Sequence, residues 1–181
     1  LHQMFVDFNA KQFASSQKLR NKDAKTIFNQ LEQSYPSIKQ YLDDVQKKNL
    51  ALFKTSNRFQ FLAADGTLLF FNYYDNQWLP MLRLLHQYPS LLPYVNNDKG
   101  SCKFLLQGAK LMAPGVHSID EGCQINQIYP IRFCENADAM AYIKLMQTPQ
   151  DILKEGRKDV AGEIITIIGD GLWDMEDKVK M

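Results

Sequence analysis

Long apolar runs, paired cysteines and an excess of one charge are all missing from this chain of 181 residues. Its 21 Lys and Arg stand against 20 Asp and Glu, for a formal net charge of +1. A charge that small provides no whole-molecule field to draw the protein onto nucleic acid, so contact with a polyanion must come from a local patch. The 3 cysteines, Cys102, Cys123 and Cys134, are odd in number and none belongs to a C-x-x-C pair. That argues against a disulfide framework or a zinc ribbon and points to a reducing compartment. No apolar run approaches the roughly 18 residues of a membrane span, and the first residues contain no signal-peptide core. A cytoplasmic protein without membrane contact is expected, with its natural start at Met4 after Leu1-His2-Gln3.

Catalytic signatures are equally scarce. A nucleophile needs a base and an orienting group, yet His86 and His117 sit in no recognisable serine or cysteine enzyme motif. There is no G-x-x-x-x-G-K-[ST], and Gly-x-Gly occurs as Gly169-Asp170-Gly171, at a strand end with no helix expected after it. His117 and Cys123 lack further ligands at zinc-like spacing. Asp43, Asp44, Asp170 and Asp174 read as helix and turn carboxylates. No catalytic residue, metal or cofactor is expected, and no repeat or low-complexity tract appears.

What is present is ample core material: 45% of the residues are apolar and 12% aromatic, enough for one large domain or two small ones. The stretch Asp98 to Val116, DKGSCKFLLQGAKLMAPGV, organises the rest. Asp98 is placed to cap a helix through its carboxylate, taking the amide of Gly100 or Ser101, and Gly108 stands where a left-handed C-cap residue belongs. A helix of about nine or ten residues is expected. Cys102, Leu105 and Leu106 would face the core, while Lys99, Lys103 and Gln107 line another face. Leu111 to Val116 reads as a strand. Its Pro114 offers no ladder amide and its Gly115 lets another backbone approach, which suits an edge where a ligand can lie.

Upstream, Met4 to Arg20 suits a short strand followed by a loop. Asn21 or Asp23 can cap a helix with the stripe Ala24, Ile27, Phe28 and Leu31, stopped at Tyr35-Pro36. Ser37-x-x-Gln40 is a capping box opening a second helix with Ile38, Tyr41, Leu42 and Val45 on one side. The period then becomes two over Leu50 to Thr55, Phe59 to Ala64 and Thr67 to Tyr74, with Asp65-Gly66 as a hairpin signal. Trp78-Leu79-Pro80 is expected to open an apolar helix with Pro at N1, ended by Tyr88-Pro89. A boundary is placed near Pro93 to Asn97, giving domains 4–93 and 94–176. Beyond the central stretch, Cys123 to Phe133 and Ala137 to Met146 read as strands divided by a Glu135-Asn136 turn. Thr148-Pro149-Gln150-Asp151 is a helix start, with Gly156 ending that helix after about two turns. Glu163 to Ile168 is a strand buried on both faces, and the turn after it delivers Trp173 onto the body. The fold class is α+β: an N-terminal α/β domain with a small antiparallel sheet, then a β-barrel with short helices.

Three segments, DKGSCKFLLQGAKLMAPGV, TPQDIL and EIITIIGDGLW, resemble the PUA domain, an RNA-binding pseudobarrel. With Asp65-Gly-Thr-Leu-Leu-Phe-Phe71 and Leu79-Pro-Met-Leu-Arg-Leu-Leu-His-Gln-Tyr-Pro89, the chain resembles the malignant-T-cell-amplified-sequence family, also called translation-machinery-associated proteins, from about Met4 to Trp173. It departs from many PUA domains in having Glu121-Gly122-Cys123 where Gly-Asp is common, and no glycine in Ala139 to Leu145. The resemblance implies a pre-PUA domain followed by a PUA domain, and a heterodimer with density-regulated protein, an SUI1-domain partner. It further implies action on the small ribosomal subunit in initiation, reinitiation and recycling, including release of deacylated tRNA and contact with the tRNA acceptor end. Because the chain ends soon after Trp173, it is expected to correspond to the separate subunit rather than to ligatin.

Taken with this resemblance, Lys99, Lys103 and Lys110 are expected at an RNA edge with Gly100, Gly108, Met112, Pro114, Gly115 and Val116, where RNA is recognised by shape and backbone. Without it, the same lysines read as a solvated helix face. Lys18, Arg20, Lys22 and Lys25 form a second basic cluster that suits either ribosomal RNA or solvent. Tyr73, Tyr74 and Trp78 are read either as an aromatic patch for the partner or as residues buried between sheet and helix. Trp173 and His86 read as packed residues. The competing function is a PUA-fold adaptor that binds protein and not RNA.

Overall fold

Asp65 and Gly66 turn the chain between two strands, β3 (Phe59–Ala64) and β4 (Thr67–Tyr73), with φ of 48° and 84°. Two successive positive φ values make the I′ turn whose twist matches paired strands, as the dipeptide predicts. This hairpin is central to a five-stranded antiparallel sheet ordered β1-β2-β3-β4-β5, where β1 is Phe13–Lys18, β2 is Leu50–Thr55 and β5 is Leu79–Pro80. The computed structural model describes residues 5–73, 77–133 and 138–180; the expected Glu135-Asn136 turn, with Tyr74 and Cys134, lies outside them.

The chain divides into two compact units, one of Phe8–Leu84 with Asp174–Met181 and the other of Leu1–Asp7 with Leu85–Trp173. In the first, register sets Phe53, Phe61 and Phe71 across from one another, with the rings of Phe8 and Phe13 against Phe61. The helices α1 (Asn21–Ser34) and α2 (Lys39–Gln46) bury Ala24, Phe28, Leu31, Leu42 and Val45. Tyr35 at the end of α1 stacks on Phe70 and donates its hydroxyl to the Trp78 carbonyl at 2.6 Å. Burial pushes that hydroxyl well above the usual tyrosine range.

Several local expectations are corrected here. The strand near the N-terminus follows a 3₁₀ turn at Ala10–Gln12 instead of preceding a loop. It escaped notice because every position after Phe13 is exposed, as befits an edge strand. No capping box forms at Ser37, since Pro36–Ile38 is a 3₁₀ turn and α2 starts at Lys39 without a side-chain cap. Likewise α1 has no side-chain cap from Asn21 or Asp23, its N-cap being Arg20. Pro80 pairs with Phe70 in β5, an outer strand where a missing amide costs nothing, and α3 (Leu82–Gln87) begins only afterwards.

The second unit holds a six-stranded sheet ordered β7-β11-β10-β9-β6-β8. Its strands are β6 (Val95–Asn97), β7 (Leu111–Met112), β8 (Val116–Ile119), β9 (Ile128–Arg132), β10 (Ala141–Leu145) and β11 (Val160–Ile167). The end strands β7 and β8 are joined by one 3₁₀ turn, Ala113–Gly115, so the two edges come together and the sheet is a nearly closed barrel. The expected continuous strand Leu111 to Val116 is thus broken in two. Leu105, Leu111, Ile131, Ile143, Leu145, Ile152 and Ile164 fill the interior; each such side chain contributes roughly 1.5–3 kcal/mol by leaving water.

The Pro93 to Asn97 stretch, where a domain boundary is expected, contains β6, a strand paired on both sides, with β9 and β8. Its Asn96 is buried because it is satisfied: Arg132 Nε donates to its side-chain oxygen at 2.6 Å, and its amide donates to Asp120 at 2.9 Å. The start expected at Thr148 is present: its hydroxyl oxygen accepts the Asp151 amide at 3.2 Å and caps α5 (Pro149–Ile152), which is one turn long rather than two. After β11, Gly169 has a φ of 85° and α6 (Gly171–Met175) follows.

Candidate nucleic-acid interface

The segment from Asp98 forms a 3₁₀ turn, Lys99–Ser101, running into α4 (Cys102–Leu106). The 3₁₀ start explains why the expected Asp98 carboxylate cap is absent. The Ser101 amide donates to the Asp98 carbonyl at 3.0 Å, the Ser101 hydroxyl to the same oxygen at 2.8 Å, and the Asp98 side chain makes no cap hydrogen bond. At the other end Gly108 has a φ of 87°, its amide donates to Leu105 O and the Ala109 amide to Phe104 O. This is the Schellman closure that the glycine predicts.

Leu105 is buried in the barrel and Cys102 half-buried, but Leu106 is exposed, contrary to its assignment to the core face. About 100° of helix rotation separates it from Leu105, and so short a helix presents only one such position squarely to the barrel. Phe104 is 61% exposed and Met112 is 43% exposed. Between them runs a groove of about 510 Å³ bounded by Gly100, Ser101, Lys110, Pro114 and Gly115.

Close approach of backbone shapes this groove. Asp98 N donates to Gly115 O at 3.0 Å, and a Cβ on Gly115 would lie 3.1 Å from Ser101 Cβ. At Gly100, by contrast, a Cβ would meet nothing within 4 Å, so the peptide there is open. Lys99 and Lys103 are exposed on the same segment. Lys110 borders the groove but gives its ammonium to Glu163 Oε1 at 2.9 Å, and that hydrogen bond holds the Glu163 carboxyl below the usual carboxylate range. Val116 is buried at the start of β8. The structure therefore brings Gly100, Lys110, Met112, Pro114 and Gly115 to one groove, with Lys99 and Lys103 on the segment that walls it.

Other positions are placed as follows. Trp78 is buried, with 6% exposure, so its ring offers no surface for a partner, while Tyr73 is half-buried and stacks on Phe59 at 4.3 Å. His86 Nε2 donates to Ala139 O at 2.7 Å and lies 5.7 Å from the half-buried Trp173 ring. Lys18, Arg20, Lys22 and Lys25 are not among the residues that line the groove; they lie at the end of β1 and the start of α1. Burial pushes the Cys123 thiol up to about 12, which leaves it protonated at neutral pH. Among the described residues no group of three His, Cys, Asp or Glu is arranged to hold a metal, and no helix is long and apolar enough to cross a membrane.

Sequence reasoning missed a second basic hollow of about 430 Å³, lined by His117, Lys154, Arg157 and Lys158 together with Pro114 and Leu153. The run Lys154 to Lys158 was visible, but its approach to His117 depends on the barrel.

Solved structures share this architecture. A hypothetical protein from Pyrococcus horikoshii OT3 has a TM-score of 0.69 at 19% identity, covering 90% of this chain and 99% of that one. A PUA domain from Aeropyrum pernix K1, crystallised as a tartrate complex, has a TM-score of 0.66 at 20% identity, covering 91% of each. The fold is that of a PUA-domain protein, and residues 8–89 match the pre-PUA-like domain family. The chain is 31% identical over 183 residues to malignant T-cell-amplified sequence 1-A of Xenopus laevis, covering 96% of this chain and 98% of the relative. It is also 31% identical over 178 residues to translation machinery-associated protein 20 of Saccharomyces cerevisiae, covering 94% and 97%. It belongs to the malignant T-cell-amplified sequence and translation machinery-associated protein family.

Proposed function

We propose that this protein is a non-enzymatic translation factor subunit that binds RNA on the small ribosomal subunit through the groove between Gly100 and Gly115. The observation that carries the reading is the combination in one place of open backbone at Gly100, exposed apolar surface at Phe104 and Met112, and two exposed lysines, Lys99 and Lys103. An unstacked base needs an apolar face and its phosphate a cation, and single-stranded RNA is recognised by that pairing. The name translation machinery-associated protein 20, borne by the yeast relative, supports the setting.

In this reading the partner is a density-regulated-protein homologue with an SUI1-type domain, and the pair acts in initiation, reinitiation and recycling, with the tRNA acceptor end as one ligand. Tyr73 supplies surface for that partner. The mechanism is positional: preferential binding to one state of the subunit shifts its population.

The test is binding of purified small subunits across a salt series, for wild type and for Lys99→Glu with Lys103→Glu. Weaker binding with a shallower salt dependence in the folded variant supports RNA contact. Unchanged binding favours the adaptor that holds protein alone, for which the exposed Phe104, Leu106 and Met112 would be the contact surface.

A further inference from the structure

The hollow lined by His117, Lys154, Arg157 and Lys158 shares Pro114 with the groove described above, so the two concavities flank the Ala113–Gly115 turn. We infer that this hollow is a second nucleotide subsite, taking the base and phosphate of a single-stranded RNA that crosses Pro114 from the groove. The inference rests on the RNA reading of that groove and deepens it.

Three features favour a nucleotide. The floor is apolar, made by Val116 and Ile152 with Leu153, which is 47% exposed. The rim is basic and no acidic residue lines it among the described residues. Of the nearby carboxylates, Asp159 pairs with Arg157 Nε at 3.2 Å, Asp151 accepts from the Thr148 hydroxyl at 2.8 Å, and Glu155, exposed between Lys154 and Gly156, does not line the hollow. Beside that ion pair, the Arg157 guanidinium donates to Gln147 Oε1, which positions it as one wall of the hollow. Lys154 and Lys158 are exposed and carry no ion pair among the described residues. A volume of about 430 Å³ lies within the range of ligand pockets, roughly 300–1,000 Å³. An acidic peptide would satisfy the rim and leave the floor bare; a nucleotide meets both.

The experiment measures affinity against length for single-stranded oligoribonucleotides of increasing size, by fluorescence anisotropy, with folding checked by thermal melts. Wild type should keep gaining affinity after the oligonucleotide is long enough to fill the first groove. Lys154→Glu with Lys158→Glu should plateau earlier, lose tenfold or more on the longer strands, and show a salt slope smaller by about 0.7 for each phosphate contact removed. Leu153→Ser should lose the same length increment with its salt slope unchanged. Length curves identical to wild type in both variants overturn the subsite while leaving the groove intact. Competition by polyglutamate as effective as by RNA overturns the nucleotide assignment. Absence of oligonucleotide binding by wild type at every length overturns the groove reading, and the subsite with it.

Discussion

Lys110 and Glu163 form an ion pair, Nζ to Oε1 at 2.9 Å, across the β7–β11 side of the barrel. The pair withdraws one of the three lysines expected to meet RNA, because a cation already neutralised by a carboxylate at contact distance has little attraction left for a phosphate. Glu163→Gln should release it. The expected outcome is tighter oligonucleotide binding at low salt, with a salt slope steeper by about 0.7 for one added contact on a single strand. Anisotropy titrations at several salt concentrations check this, and an unchanged slope would show that Lys110 does not reach the ligand.

The same pair has a pH signature. Glu163 titrates below its ordinary value of 4.5 because Lys110 donates to the carboxylate. A depressed folded-state value means that the stabilisation is present above the unfolded value and is lost as pH falls through the folded one. Wild type should therefore melt slightly above Glu163→Gln at neutral pH, and the difference should vanish as pH drops below 4.5. The margin is small because both side chains are partly solvated. Thermal melts of the two proteins from pH 3 to 7 would measure it.

Asp170 closes the end of β11 with both carboxylate oxygens. Oδ2 accepts the Ile167 amide at 3.0 Å and the Thr166 hydroxyl at 2.8 Å, while Oδ1 accepts the Trp173 amide at 2.9 Å. An asparagine has one acceptor oxygen, so either orientation turns its NH₂ toward a backbone donor. Since Asp170 is buried, Asp170→Asn should destabilise the protein by about 1–3 kcal/mol, the cost of a buried donor without an acceptor. Urea denaturation gives the value, and a loss below about 0.5 kcal/mol would mean that water reaches the turn.

How much of this was legible in the sequence depended on whether the deciding contact is local. Asp65-Gly66, Gly108 and the Thr148 cap were readable because each is a backbone requirement met within a few residues. Strand β6 was not, since three residues ending in Asn-Asn look like a loop until Arg132 and Asp120, from other strands and turns, satisfy Asn96. Pro80 was read as a helix start because its edge pairing with Phe70 leaves no local mark. In the site, the lysines and glycines could be named from spacing and resemblance. The pairing of Lys110 with a residue 53 positions away, and the gathering of His117 with Lys154 to Lys158, required the barrel to be closed.

Gly162 sits in the β10–β11 ladder opposite Leu145, and a Cβ there would lie 2.9 Å from the Lys144 carbonyl oxygen, inside the distance real carbons keep. The obstacle is backbone in a paired strand, so it cannot swing aside as a side-chain tip would. Gly162→Ala should cost about 1–3 kcal/mol by forcing the two strands apart. Gly100→Ala, where a Cβ meets nothing within 4 Å, is the matched control and should be near neutral for stability. Comparable denaturation midpoints for the two variants would refute the steric argument.

Phe104 distinguishes a binding platform from a core residue most directly. It is 61% exposed on α4 and lines the groove, whereas its neighbour Leu105 is fully packed in the barrel. A core phenylalanine truncated to alanine costs about 3–5 kcal/mol of stability, but little of that burial exists here. Phe104→Ala should change stability by no more than about 0.5 kcal/mol and weaken single-stranded RNA binding by about 1–3 kcal/mol, the range for losing one stacked base. Leu105→Ala should do the reverse, losing about 2–5 kcal/mol of stability. Parallel denaturation and binding curves for the two variants test the assignment, because a Phe104→Ala protein that binds RNA as wild type does would remove the base from the groove.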